Sequence, residues 1–177
     1  MPEYKEFLSI DEIAKDYAIR RHRAVNHYYD STHEYSFHLE MTINVAKRFI
    51  HLIPELDRKE VLGGCWVHDV IEDTRESFNN VKKETNKTIA EYAFACTNEK
   101  GKTRKERANK KYYDGIKCYK HASFIKLCDR IANVQFSKSI SSSMFEMYKK
   151  EFEDFYTNLY DGRWEEMWDY LKELFEL

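Results

Sequence analysis

An all-α fold is what this sequence predicts, and three observations carry it. Glycine and proline are scarce, five and two in 177 residues, so little of the chain suits tight turns. Lys, Glu, Leu, Ala and aromatic residues recur at spacings of three and four, the period of one helix face. Apart from a long basic run at 97–111, polar breaks between these stretches are brief, as in helices joined by short connections. A chain of this length buries one good core and seldom two, so a single domain over 1–177 is expected.

The first helix is expected over 11–29, with Ser9 or Asp11 as its cap and Ile13, Ala14, Tyr17, Ala18, Ala24 and Val25 on its apolar face. DSTHE (30–34) reads as a polar loop. A second helix runs from Tyr35 to before Pro54, carrying Phe37, Met41, Ile43, Val45, Ala46, Phe49 and Ile50. Asp57 is placed to cap a third, which continues to Ile71 or Glu72 through Gly63-Gly64, a pair that costs a helix about 1 kcal/mol per glycine and suggests close approach of another backbone. Phe78 to Cys96 continues the helical pattern. TNEKGKTRKERANKK (97–111) is polar and strongly basic, and its run 100–111 reads as a solvated loop, with a phosphate clamp as the alternative. Two further helices are expected over 112–120 and 122–138. After Ser141-Ser142-Ser143, two aromatic amphipathic helices, 144–160 and 163–177, are joined by Asp161-Gly162. Their Phe152, Phe155, Tyr156, Tyr160, Trp164 and Trp168 are expected to pack as core.

Lys and Arg total 29 against 31 Asp and Glu, so no overall field favours a polyanion, and bulk nucleic-acid binding is not expected. No apolar run approaches the roughly 20 residues of a membrane helix, and no signal peptide is evident, so a cytoplasmic protein is expected. Cys65, Cys96, Cys118 and Cys128 lack the close pairing of a zinc site and read as reduced core thiols.

Against this background one stretch stands apart. GGCWVHDVIEDT (63–74) packs His68, Asp69, Glu72 and Asp73 into an otherwise apolar segment. On a continuous helix His68 and Glu72, and likewise Asp69 and Asp73, are four apart and share a face. Three carboxylates held together repel unless protonated or met by a cation, and an added imidazole suits a divalent transition metal better than calcium. Upstream, His38 opens an amphipathic helix. Downstream, Asp129 lies inside the apolar run IKLCDRIANV, where an unpaired carboxylate would cost several kcal/mol to bury. His22, His27, His33, His51 and His121 show no ligand spacing and read as surface or core histidines.

The order His38, His68-Asp69, Asp129 resembles the H…HD…D pattern of the HD-domain metal-dependent phosphohydrolases. HDVIEDT followed by KLCDRIANV is similar, more narrowly, to the hydrolase domain of the guanosine tetraphosphate (alarmone) hydrolases, where HD-x-x-EDT and KLADR-x-x-N recur; the likeness spans roughly 14–138. It implies an HD-type helical bundle, with the C-terminal helices 143–177 packed on it. It also implies that His38, His68, Asp69 and Asp129 hold one divalent metal ion, usually manganese, and that Glu72 and Asp73 position or activate the attacking water. By the same likeness Asn133 contacts substrate near the ribose or phosphate, Arg130 is structural or faces a phosphate, and Tyr35 is the tyrosine of a PY-x-x-H stretch.

One departure is visible. Tyr28, Tyr29 and Asp30 stand where the alarmone hydrolases carry an Arg-Lys pair that contributes to the nucleotide pocket, so Tyr28 and Tyr29 are expected to contact the substrate there, stacking on a base without supplying positive charge. Positive charge for a phosphorylated substrate must then come from the metal and from basic residues, for which Arg20, Arg21, Arg23, Lys102, Arg104, Lys105 and Arg107 are the candidates. The activity implied is hydrolysis of a nucleotide phosphoester, first a 3′-pyrophosphate of the alarmone kind, with a small-molecule nucleotide as the partner. A nucleoside mono- or triphosphate substrate is the alternative within the same chemistry. A catalytically idle nucleotide- or partner-binding module is the alternative outside it.

Overall fold

The computed structural model describes residues 8–177; the first seven residues of the expected domain lie outside that range. Among the described residues the chain is all-α, as expected, and its only strand-like feature is a single antiparallel bridge between Tyr28 and Glu34.

Helix α1 (Ile10–Ala24) starts at a capping box in which Glu12 reaches back to the Ser9 backbone amide at 2.7 Å. It ends five residues before the expected limit, because Asn26 turns left-handed (φ 53°) and sends the chain into a loop. In that loop the Asp30 carboxylate accepts from the Thr32 and His33 amides, both at 2.8 Å. Helix α2 (Ser36–Arg48) is also shorter than expected, its tail becoming 3-10 turns at Ile50–Leu52 and Glu55–Asp57 on either side of Pro54. Asp57 does not cap α3 (Arg58–Val67) with its side chain, which instead binds Lys120 at 2.6 Å and His121 at 2.9 Å.

The expected continuous helix through His68 is corrected: α3 stops at Val67, His68-Asp69 form a turn, and α4 (Val70–Asp73) is a single turn. The stretch 78–96 is likewise two helices, α5 (Phe78–Glu84) and α6 (Lys87–Cys96). The break falls at Asn86, whose side chain caps α6 through the Ile89 amide at 2.9 Å. Inside the basic run lies α7 (Arg104–Arg107), opened by a Thr103/Glu106 capping box. It is followed by α8 (Lys110–Lys117), α9 (Ala122–Ser139), α10 (Ser143–Leu159) and α11 (Glu165–Phe175).

Helix α9 runs through the centre of the bundle, buried along most of its length and in contact with α2, α3, α6, α8, α10 and α11. Helix α1 closes over α3. The Gly63-Gly64 pair makes this density possible, though what comes close is side chains rather than a backbone. A Cβ at Gly63 would sit 2.6 Å from Ile89 Cδ1, and one at Gly64 2.5 Å from Ile125 Cδ1 and 2.8 Å from Tyr92 Cδ2. Phe152, Phe155 and Trp168 are buried core, with Tyr156, Tyr160 and Trp164 packed against it. Cys65, Cys96 and Cys128 are buried free thiols, but Cys118 is exposed at the end of α8 and is no core residue.

Candidate metal centre and adjoining cleft

Helix α2 delivers His38 from its first turn, and the break after α3 delivers His68 and Asp69. The Nε2 atoms of His38 and His68 are 3.3 Å apart, and Asp69 Oδ2 is 2.8 Å from His68 Nε2 and 3.8 Å from His38 Nε2. Helix α9 adds Asp129, with Oδ1 3.2 Å from His38 Nε2 and 3.8 Å from His68 Nε2. Side chains 30 and 61 residues from His68 along the chain thus converge on it. The helix break is what permits this: adjacent residues point in different directions on a helix, whereas the turn lets His68 and Asp69 face one point.

Two observations test whether these groups suit a cation. The Nδ1 of His68 donates to the Cys65 carbonyl at 2.8 Å, which leaves Nε2 as the nitrogen facing the cluster, the orientation of a ligating histidine. Against its burial, Asp69 and Asp129 push the imidazole up to about 10, so a proton stands where an ion would be bound. Burial alone would push both carboxyls up, but His68 holds Asp69 down, and Lys126 with both histidines holds Asp129 well below the usual range. Two ionised, largely desolvated carboxylates beside two imidazole nitrogens form a donor set that fits a divalent transition metal.

The carboxylates are also steered from behind. The Tyr35 hydroxyl donates to Asp69 Oδ2. Asp129 is gripped by Lys126 Nζ at 2.7 Å on Oδ2 and by Asn133 Nδ2 at 2.7 Å on Oδ1, while Asn133 Oδ1 accepts from the Tyr29 hydroxyl at 2.9 Å. The Tyr29 ring lies parallel to the His38 imidazole (5.2 Å, 6°). Tyr29 and Asn133 therefore have their polar and aromatic groups engaged in holding Asp129 and His38. Behind Tyr35, His22 and His27 stack on its ring at 4.4 and 4.0 Å and approach each other at 2.9 Å through their Nδ1 atoms.

Glu72 and Asp73 part company. The Glu72 carboxylate is exposed and accepts from the Asn98 backbone amide at 3.0 Å and side-chain amide at 2.8 Å, tying α4 to the start of the basic segment. Asp73 is exposed at the surface as well, but its carboxyl stays in the field of the cluster: partial desolvation, then the charges of Asp69 and Glu72, push it up to about 7.

Asp129 also lines a cleft of about 890 Å³ between the 98–113 segment, α9 and α10, a size that accommodates a nucleotide. On α9 the residues Lys126, Asp129, Arg130 and Asn133 fall at i, i+3, i+4 and i+7, one polar stripe on a helix that is otherwise core. Seven basic side chains line the cleft (Arg104, Lys105, Arg107, Lys110, Lys126, Arg130, Lys150) against four acidic ones (Asp129, Glu146, Glu151, Asp154), so its walls favour an anion.

Of the other sequence candidates, Tyr28 is 56% exposed and does not line the cleft. Arg20, Arg21 and Arg23 pair with Asp16, Glu76 and Glu34 away from it, and Lys102 is not among its lining residues. Sequence reasoning missed Lys126, Asn98 and Glu151. Lys126 was readable as a cation three residues before Asp129 in a largely apolar helix, whereas nothing local marks Asn98 or Glu151.

No family model matches the chain. It is 26% identical over 120 residues to the guanosine-3′,5′-bis(diphosphate) 3′-pyrophosphohydrolase MESH1 of Danio rerio, an alignment that takes in 68% of this chain and 64% of that protein, so less than two thirds of the relative's length is represented. Among solved structures, a metazoan ortholog of SpoT, described as hydrolysing ppGpp and playing a role in starvation responses, matches with a TM-score of 0.75 over 96% of this chain and 95% of its own, at 21% identity. The chain therefore has the all-α fold of that structure.

Proposed function

We propose that this protein is a metal-dependent phosphohydrolase that removes the 3′-pyrophosphate of a nucleotide, with guanosine 3′,5′-bis(diphosphate) as the first substrate to test. The observation that carries the reading is that Asp129, with Oδ1 3.2 and 3.8 Å from the two histidines of the His38–His68–Asp69 cluster, also lines the wall of a basic cleft of nucleotide size. Likeness to the Danio rerio enzyme supports the choice of substrate.

His38, His68, Asp69 and Asp129 would hold the ion, with Mn2+ as first choice for a mixed imidazole and carboxylate set. Bound there, a divalent cation supplies Lewis acidity, making water more acidic and drawing charge from phosphoryl oxygens. The chain's own residues do the rest. Tyr35 and Asn133 orient the two carboxylates. Asp73 accepts the proton of the attacking water at its carboxylate, the one acid near the cluster not committed to a hydrogen bond, while Glu72 fixes the neighbouring wall through Asn98. Arg130 and Arg104 face the phosphate-bearing end of the substrate, and Lys105 and Arg107 on α7 add to its attraction. Four unpaired cysteines support a cytoplasmic location, where thiols stay reduced.

The test is a panel of nucleotides incubated with the purified protein and Mn2+, read as phosphate and pyrophosphate release. Pyrophosphate from guanosine 3′,5′-bis(diphosphate) is expected to exceed any release from nucleoside mono- and triphosphates. Faster release from either of those overturns the substrate, and no release from any of them overturns the enzyme.

A further inference from the structure

The strongest cations of the cleft are already occupied. Arg104 on α7 reaches Glu151 on α10 through Nε at 2.9 Å and Nη2 at 3.2 Å, and Arg130 on α9 reaches the same carboxylate through Nη1 at 3.0 Å. Both guanidiniums lie over the Tyr148 ring, at 5.8 and 4.8 Å, and Arg130 also lies over Phe155 at 4.4 Å. Arg104 thus grips the carboxylate with two donors and Arg130 adds a third, both guanidiniums lying over aromatic rings and meeting at one oxyanion, as arginines do toward carboxylates and phosphates alike. The side chain of Arg130 is only 10% exposed, so its orientation is set by packing and not by solvent. Each guanidinium has five N–H donors, more than Glu151 can use, and both residues line the cleft that Asp129 also lines.

We infer that Arg104 and Arg130 form a diphosphate-binding wall in the cleft, and that Glu151 is its internal occupant, a specificity-determining residue that lowers the cleft's affinity for anions. An entering diphosphate competes with the carboxylate for the same donors. Because Glu151 is held in place covalently, a singly charged phosphate gains little from that exchange, while a diphosphate, with more charge and more acceptors, gains enough to displace it. The device selects for a doubly phosphorylated end. It rests on the reading of the cleft as the substrate site, but its test needs no turnover.

Inorganic pyrophosphate is titrated calorimetrically into the full chain in chelator-treated buffer at low salt, with orthophosphate as the comparison. Glu151→Gln keeps the shape and loses the charge, and it is expected to bind pyrophosphate about tenfold more tightly than the wild type. Adding Arg130→Gln or Arg104→Gln to that variant should abolish the gain. Orthophosphate should gain more from Glu151→Gln than pyrophosphate does, narrowing the preference. If Glu151 is only a strut that aligns the arginines, Glu151→Gln binds pyrophosphate as weakly as the wild type or more weakly, and the proposal fails. Glu151→Asp, which keeps the charge and retracts it from one arginine, guards against misfolding of the first variant: intermediate affinity supports the occupant, and affinity no tighter than the wild type overturns it. A protein that binds pyrophosphate in this pattern but hydrolyses no nucleotide leaves this inference standing and removes the proposed function.

Discussion

His68 donates Nδ1–H to the Cys65 carbonyl at 2.8 Å, so a backbone atom one turn earlier on α3 decides which imidazole nitrogen faces His38 and Asp69. First, His68→Ala and Asp69→Ala should each lose the bound ion. Elemental analysis of protein dialysed against Mn2+ is expected to find about one equivalent in the wild type and little in either variant. Full occupancy in both would dissolve the assigned centre.

Tyr35→Phe removes only the hydroxyl that orients Asp69, leaving the ring that His22 and His27 stack on. Mn2+ affinity is expected to fall about 10- to 100-fold, the usual effect of deleting a partner of a metal ligand. Affinity within twofold of the wild type would show that Asp69 needs no such support.

The two acids after Val70 should behave differently. Asp73→Asn is expected to keep the metal and lose turnover by about 100-fold or more, as for removal of a general base. Glu72→Gln still accepts one bond from Asn98 and should lose only about tenfold, as KM more than kcat, because it moves a wall and not the chemistry. Equal losses in kcat would mean that the two act as one unit.

His22 gives a pH signature to stability. Burial, opposed by Asp69 and aided by His27, His68 and His38, pushes it down to about 3, so the folded protein keeps it neutral while the unfolded chain protonates it near 6.5. Between those values the unfolded state binds more protons. Stability is therefore intact above about 6.5 and declines as pH falls toward 3, by about 2 kcal/mol between pH 6.5 and 5 from this residue alone. Urea unfolding of wild type and His22→Gln across that range should show the variant's slope to be shallower by this amount, and parallel slopes would count against it.

Gly64→Ala should destabilise by about 1–3 kcal/mol through overpacking against Ile125 and Tyr92, partly offset by the roughly 1 kcal/mol gain in helix propensity. Gly63→Ala meets chiefly the tip of Ile89, which can swing aside, and should cost less. Thermal melts of the pair decide the order, and the reverse order would mean that the α3–α6 contact is the tighter one.

The sequence by itself determined what depends on neighbours a few residues away. The apolar period of three and four specified helices, and it placed Asp129, Arg130 and Asn133 on one stripe of a core helix, because 3.6 residues per turn is a property of the backbone. The HD and KLCDR motifs pointed to His68, Asp69 and Asp129 as candidate donors. Tertiary structure alone decided where those elements break and what they meet. The turn at His68-Asp69 forms where the cluster needs both side chains to face one point, and Asp69, at the N-cap position of α4, gives its carboxylate to the cluster and not to the helix. Tyr29 rests on His38, and Glu72 turns to Asn98, only after α2, α4 and the basic segment have packed. Arg104 and Glu151, 47 residues apart, share a hydrogen bond because α7 and α10 form opposite walls of one cleft. Such pairings depend on how helices pack across loops, and a local period carries no information about that.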